Sequence, residues 1–167
     1  SAQVAMFSFS LLFGVGAASI ISRSLGAGDR EGAAKTAGTA VVLGFLAVLL
    51  LLAVSQIFLI PLIRLLGGTE EIIPYTERYL RIILFGFPVI TLTVIGHNTS
   101  RAEGRPKIAM FSLIIGAGMN IILDAVFIFV FNMGIRGAAI ATVIARCFSL
   151  LFLIRYFKSG QSSIKLS

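Results

Sequence analysis

The chain contains few of the residues that build disulfides, metal centres and charged catalytic sites. Its 167 residues include one cysteine, one histidine and seven acidic residues. Cys147 alone cannot form an intramolecular disulfide, and one cysteine with one histidine cannot form a metal cluster. A catalytic acid usually needs a second acid, a set of metal ligands or a nucleophile close by, and the sequence offers none of them. We therefore expect no enzyme, no metal site and no cofactor.

The alternation of apolar and polar positions that marks soluble domains and transmembrane β-barrels is also missing. The chain is 57% hydrophobic with a mean hydropathy of +1.01. Its apolar runs are continuous and reach the length of about 20 residues that crosses a bilayer as a helix. The first run lacks a charged n-region and a small-residue cleavage site, so it is not read as a signal peptide. These features predict an all-α, polytopic transmembrane helix bundle.

Five spans are predicted, and the charges between them predict an orientation. The spans are residues 2–21, 36–66, 79–100, 108–131 and 137–157. One side carries nine basic residues, namely Arg23, Arg30, Lys35, Arg101, Arg105, Lys107, Arg155, Lys158 and Lys165. The other side carries Arg64, Arg78, Arg81, Arg136, Glu70, Glu71 and Glu77. The positive-inside rule makes the first side cytoplasmic, which also accounts for the net charge of +7 without nucleic-acid binding.

With this orientation the first span starts outside, so we expect that a helix is missing before Ser1 and that the chain is a piece of a longer protein. Two turns are predicted on the cytoplasmic side. Asp29 is a predicted N-cap of the second helix. Gly104 is predicted to adopt a positive φ, and Pro106 to sit in the first turn of the fourth helix. Clusters of glycine and alanine in spans one, four and five favour close helix packing.

Asp124 is the only acidic side chain inside an apolar run. A charged residue at membrane depth costs about 2.5–3.5 kcal/mol on insertion scales, so it usually has a function. Asn120 lies four residues earlier on the same helix face. The short turn 132–136 makes spans four and five antiparallel neighbours, which puts Thr142 at a similar depth, roughly 8–10 Å from the outer end.

These three side chains can hydrogen-bond a protonated acid or supply oxygen ligands to a hard cation. We therefore predict a site for H⁺ or Na⁺ made of Asp124, Asn120 and Thr142. The alternative is a hydrogen-bonded cluster that only joins two helices. Arg146, one turn beyond Thr142, and Gln56 are weaker candidates for the site. His97 and Asn98 are expected near the cytoplasmic end of span three, where a wet interface can hold them.

Four segments resemble the multidrug and toxic compound extrusion (MATE) family. They are residues 23–29, 101–107, 120–124 and 134–142, and their order and spacing match the family along nearly the whole chain. The Arg-Ala-Glu-Gly turn at Arg101 looks most like the bacterial and archaeal drug-efflux branch. The resemblance implies a protein of twelve helices in two lobes, in which residues 1–167 are helices two to six of the N-terminal lobe.

The resemblance also implies a function and a site. In the family, a cation site uses an Asn and an Asp on the fifth helix and a Thr on the sixth, which match Asn120, Asp124 and Thr142. The family's partner Asp belongs to the first helix, which this chain lacks, so the fragment should not transport alone. The implied protein is a secondary active antiporter of the cell (cytoplasmic or inner) membrane. It would export drugs or other organic, often cationic, compounds in exchange for H⁺ or Na⁺.

Two other functions stay open from the sequence. A related flippase for lipid-linked saccharides would share the helix count and the small-residue packing. It would need a large cationic central cavity, and Arg146 is the one basic residue deep in a predicted span. A membrane-embedded enzyme or structural subunit built around Asp124 is the second alternative.

Overall fold

The computed structural model describes residues 2–65 and 72–164, which form a bundle of long antiparallel helices joined by short turns. The helices are α1 (Ala2–Gly26), α2 (Arg30–Leu65), α3 (Ile73–Ala102), α4 (Pro106–Ala125) and α5 (Ile135–Lys158), and a π-helical turn, Val126–Val130, extends α4. All five are long and apolar enough to cross a bilayer. The predicted all-α bundle of five spans is confirmed, and most helices extend beyond the predicted limits of their spans.

Some predicted features lie outside the described residues. These are the end of the second span at Leu66, the outer acids Glu70 and Glu71, and the basic residue Lys165. The side chain of Arg64, which was assigned to the same outer side, is also not described. The second span is therefore compared only as far as Leu65, where the described part of α2 ends.

The two predicted cytoplasmic turns end α1 and α3 in the same way. Gly28 and Gly104 have φ angles of 78° and 76°, which glycine adopts without steric cost. In each turn, the amide of the residue after the glycine donates a hydrogen bond back to the last helical turn. Asp29 N–H donates to Ser24 O at 2.8 Å, and Arg105 N–H donates to Ser100 O at 2.9 Å. Asp29 then caps α2, because its Oδ1 accepts a hydrogen bond from the Gly32 amide at 2.8 Å. Pro106 is the first residue of α4, as predicted.

Helix α3 is the centre of the bundle and packs against each of the other four helices. Leu84, Phe87 and Ile95 of α3 are buried in the apolar core between the helices. Gly86 permits one of the closest approaches, because a Cβ atom at this position would overlap the Val143 side chain of α5. The central position of α3 therefore depends on small residues as well as on apolar ones.

The residues after α5 fold back onto the end of the bundle that carries the α1–α2 and α3–α4 turns. Tyr156 donates a hydrogen bond from Oη to Glu103 Oε2 at 2.9 Å, and Ser162 donates one from Oγ to Glu103 Oε1. Ile164 is fully buried in a cluster with apolar residues of α1, α2 and α3. The Arg105 guanidinium lies 6.0 Å from the centre of the Tyr156 ring. Glu103 thus ties the α3–α4 turn to α5 and to the segment that follows it.

Candidate functional site

Four residues on α4, spaced four apart, form a stripe, and the first three of them contact α5. They are Ser112, Gly116, Asn120 and Asp124. A step of four residues overshoots one helical turn by about 40°, so the stripe rotates around α4 by about 120° between its ends. Ser112 is fully buried at the inner end, whereas Asp124 is only half-buried at the outer end. We call this set the α4 stripe.

A serine pair joins the inner ends of α4 and α5. The hydroxyl oxygens of Ser112 and Ser149 are 2.6 Å apart. Ser149 Oγ donates to the Ser112 carbonyl at 2.8 Å, and Ser112 Oγ donates to the Ser149 carbonyl at 3.1 Å. A Cβ at Gly116 would lie 3.4 Å from the Ser149 Cβ, at van der Waals contact, so the two helices also pack closely at this position. The two helices are therefore held closely together at the end of the bundle that is predicted to be cytoplasmic.

His97 of α3 joins the same cluster, which places three helices in one polar contact. Its Nε2 lies 2.9 Å from Ser112 Oγ, and only 6% of the residue is exposed. The expectation that a wet interface holds His97 is therefore wrong, because the serine pair satisfies the ring inside the bundle. Asn98 is half-buried, and its amide donates to the Val94 carbonyl of its own helix at 2.9 Å.

The outer end of the same interface brings together two of the predicted site residues. Thr142 on α5 donates its hydroxyl proton to the Ala138 carbonyl at 2.9 Å. Its oxygen accepts a long hydrogen bond, 3.4 Å, from Asn120 Nδ2 on α4. The predicted adjacency of spans four and five at this depth is thus observed. The link across the interface is weaker here than at the serine pair, because 3.4 Å exceeds the usual range of N–H···O distances.

Asp124 lies one turn beyond Asn120 and does not share its hydrogen bond. Its Oδ1 is buried, and no group among the described residues hydrogen-bonds to it. A buried polar atom without a partner is uncommon in native proteins and indicates strain, a functional role or an absent ligand. The π-helical turn begins two residues later, at Val126. Such turns occur often at functional sites in other proteins.

The hydrogen bonds at this end leave oxygen acceptors unused. Thr142 and Asn120 have each committed a donor, the hydroxyl proton to Ala138 and an amide proton to Thr142. The Asn120 carbonyl and the Asp124 carboxylate stay available as acceptors. Acceptors without matching donors suit a proton on the carboxylate or a hard cation among the oxygens.

The two weaker candidates have different surroundings. Arg146 lines a cavity of about 320 Å³ between α1, α3 and α5, and Thr142 lines the same cavity. Gln56 instead contacts α3, where its Oε1 accepts a hydrogen bond from Arg81 Nη1 at 3.2 Å. Arg81 is also paired with Glu77 at 2.8 Å. The structure therefore connects Arg146 with the candidate site and gives Gln56 a helix–helix contact elsewhere.

The serine pair and the unpartnered carboxylate oxygen were not predicted. A signal for the serines was present, since Ser112 lies eight residues before Asn120 and Ser149 lies seven after Thr142. A spacing of seven returns to within about 20° of the same helix face, and a spacing of eight lies about 80° from it. The π-helical turn had no such signal, because its residues are uniformly apolar.

Comparisons with known proteins give one consistent result. The family model MatE matches residues 1–126. The multidrug export protein MepA of Staphylococcus aureus (strain MSSA476) is 33% identical over 156 residues, which is 93% of this chain and 35% of that protein. Two solved structures of a multidrug resistance MATE family transporter of the MOP superfamily are each 28% identical and cover 97% of this chain.

One of these two structures is inward-facing, with a TM-score of 0.92 over 37% of its chain, and the other is outward-facing, with a TM-score of 0.91 over 36%. The five helices of this chain therefore fit both conformations about equally well. The chain spans about a third of the length of the relatives that it matches.

Proposed function

Because this chain belongs to the MatE family, we propose that it supplies the coupling-cation site of a multidrug antiporter. It is part of a multi-pass membrane transporter and not an enzyme. The proposed assignment of residues 1–167 is helices two to six of the N-terminal lobe. The whole protein would sit in the cell membrane and exchange H⁺ or Na⁺ for drugs or other organic, often cationic, compounds.

The observation that carries this proposal is that Asp124 has a buried oxygen without a hydrogen-bond partner among the described residues. A carboxylate at membrane depth has one buried oxygen without a hydrogen-bond partner among the described residues. Asn120 lies one turn earlier on the same helix and already contacts Thr142 of α5. In a purely structural cluster, the side chain that is most costly to bury would be expected to be hydrogen-bonded first. Here the acid is the side chain that lacks a hydrogen bond. Binding a proton or a cation would stabilise that oxygen.

The packing of α4 supports a response to that binding. The buried residues of α4 are Ala109, Ser112 and Gly116, and none lies beyond its middle. The outer half, which includes Asp124, is joined to α5 by the long bond from Asn120. A change of charge at Asp124 would therefore move the outer half of α4 without breaking the serine pair. The equal fit to inward- and outward-facing structures favours a lobe that keeps its shape while such a local change biases the two states.

The saccharide flippase has less support from the charges. A cavity for anionic lipid-linked saccharides would need several basic residues deep in the membrane. In the described helices Arg146 is the basic residue at the middle of a span, and the others lie nearer the helix ends. The antiporter is therefore the function that these residues favour.

The test uses the full-length parent protein in proteoliposomes with ethidium as a fluorescent organic cation. A pH gradient and a Na⁺ gradient are imposed separately, and the coupling ion is the one whose gradient drives ethidium movement. Asp124→Asn preserves the size of the side chain but cannot ionise, so it should abolish gradient-driven movement. Glu31→Gln is the matched control, because Glu31 is an exposed acid paired with Lys35 at 2.9 Å. If correctly inserted Asp124→Asn protein retains the wild-type response, the proposed coupling role is wrong.

A further inference from the structure

We propose that the π-helical turn Val126–Val130 and Gly137 of α5 position the cation site and thereby set its affinity for the coupling ion. This inference rests on the proposed function and deepens it. The turn and the glycine act through the helices and do not contact the ion. Their role is to fix how closely the outer end of α4 lies against α5 at the level of Asp124, Asn120 and Thr142.

The π-helical turn packs against the backbone of α5 at Gly137, which is buried. A Cβ on Gly137 would lie 3.0 Å from both the carbonyl oxygen and the Cβ of Phe127, and 3.1 Å from the Cβ of Met133. The contact therefore depends on the missing side chain of the glycine. The Phe127 carbonyl also accepts a hydrogen bond from the Met133 amide at 3.0 Å, which links the π-helical turn to the connection with α5.

The contact at Gly137 belongs to a closed ring of contacts between α4 and α5. The next residue of α5, Ala138, accepts the hydroxyl proton of Thr142 at 2.9 Å. Thr142 Oγ1 in turn accepts the bond from Asn120 Nδ2 on α4 at 3.4 Å. Asp124 lies one helical turn after Asn120 and two residues before the π-helical turn, which leads back to Gly137. All three residues of the proposed cation site therefore lie on this ring.

Helix α5 is held in place by other contacts as well. A Cβ on Gly86 of α3 would lie 2.4 Å from Cγ2 of Val143, so α3 and α5 pack at close range near the cation site. At the inner end, Ser112 of α4 and Ser149 of α5 are joined by hydrogen bonds. A side chain added at Gly137 would therefore displace the outer end of α4 rather than α5.

A small displacement of α4 is enough to disturb the site. Contacts as short as those at Gly137 require the neighbouring atoms of Phe127 to move by a few tenths of an ångström. The bond from Asn120 to Thr142 is already 3.4 Å long, beyond the usual range of N–H···O distances, so a further separation would break it. Asn120 would then no longer be held beside Asp124, and the affinity for the cation should fall.

The test measures how ethidium movement depends on the driving ion. The full-length protein in proteoliposomes is given inward Na⁺ or H⁺ gradients of graded size, and the ion concentration at half-maximal rate is compared between variants. Gly137→Ala should raise this concentration about three- to fifteenfold, the range that corresponds to one hydrogen bond between membrane helices. The maximal rate should stay within about twofold of the wild type, because the change affects ion binding rather than the later steps.

Gly118→Ala is the matched control for an added methyl group. Gly118 lies on α4, two residues before Asn120, and a Cβ there meets no atom of the described residues within 4 Å. The control should keep the wild-type ion dependence and the wild-type maximal rate. A shift as large as that of Gly137→Ala would overturn the proposal, since the effect would then not depend on the contact with the π-helical turn.

A deletion tests the π-helical turn itself and does not depend on the folding of Gly137→Ala. A π-helical turn closes its hydrogen bonds over one more residue than an α-helical turn. Deleting Phe129, which is 77% exposed, should therefore convert the turn to α-helix without rotating the rest of α4. The variant should fold and insert. Its ion concentration at half-maximal rate should rise, because Phe127 then no longer meets Gly137 in the same geometry.

The proposal is overturned if Gly137→Ala lowers only the maximal rate, which is the result expected of a purely structural glycine. It is also overturned if the folded deletion variant keeps the wild-type ion dependence. The proposed function fails through a different result, namely Asp124→Asn protein that retains the response to the gradient. If Asp124→Asn loses that response while Gly137→Ala shows no shift, the coupling role stands and only the positioning role is wrong.

Discussion

Replacing Ser112 by alanine should cost more stability than replacing Ser149, although the two side chains touch. Ser149→Ala removes the hydroxyl contact with Ser112 and one donor to the Ser112 carbonyl, which lies in a helix and retains its backbone interactions. Ser112→Ala removes the partner of His97 Nε2 as well as the partner of Ser149. The first change breaks contacts between two helices, whereas the second also strands a buried ring nitrogen of a third helix.

The expected magnitudes follow from these bonds. Hydrogen bonds between transmembrane helices contribute about 0.6 kcal/mol on average and at most about 1.7 kcal/mol. Leaving a buried polar group unsatisfied adds about 1–3 kcal/mol. We therefore expect the free energy of unfolding to fall by about 1 kcal/mol for Ser149→Ala and by about 2–3 kcal/mol for Ser112→Ala. The replacement of His97 by phenylalanine should reduce the cost of Ser112→Ala, because the stranded nitrogen is then gone.

The measurement is unfolding of the full-length protein by SDS titration in bicelles, with all variants at one pH. Ser8→Ala is the control, since Ser8 is exposed and bonds only to the Val4 carbonyl of its own helix. The control should leave the free energy of unfolding within about 0.5 kcal/mol of the wild type. Equal costs for Ser112→Ala and Ser149→Ala, or full additivity of Ser112→Ala with the His97 change, would refute the three-helix cluster.

Two further predictions use the same protein. Gly86→Ala places a Cβ against the Val143 side chain and should cost about 1–3 kcal/mol in the SDS titration. Gly38→Ala meets no atom within 4 Å and should gain about 0.5–1 kcal/mol; similar effects of the two changes would contradict the close approach of α3 and α5. Glu103→Gln weakens the charge-assisted bonds that hold the segment after α5 and should increase tryptic cleavage after Lys158 several-fold in inside-out vesicles. An unchanged cleavage rate would mean that the carboxylate does not hold this segment.

The sequence was sufficient for the elements whose physics is local. Apolar run length predicts a membrane helix, and Asp29, Gly104 and Pro106 predicted the turn geometry because each acts within a few residues of its own position. The contact of Asn120 with Thr142 was also predictable, since a short turn forces two helices to be antiparallel neighbours. The functional roles of these residues remain predictions until transport is measured.

Features that depend on several helices were not predictable in this way. Nothing in the sequence around His97 indicates that it is buried. Its burial depends on Ser112, which hydrogen-bonds to the ring, and on Ser149, which contacts Ser112 from another helix. Glu103 likewise is a polar residue of a basic turn, and its bonds to Tyr156 and Ser162 depend on how the chain returns after α5. The absence of a partner for Asp124 Oδ1 among the described residues depends on the whole interface. Such features can be recognised only once the helices are packed together in the structure.

The rotation of the α4 stripe has a consequence for how this bundle can evolve. Because each step turns the stripe by about 40°, the inner serine faces into the bundle while Asn120 and Asp124 turn progressively outward. The residues that assemble the helices and the residues that we propose to bind the cation thus share one helix but have different neighbours. If Asn120 binds the cation as proposed, a substitution there would alter ion preference without touching Ser112. Ion selectivity and assembly could then diverge independently among homologous chains.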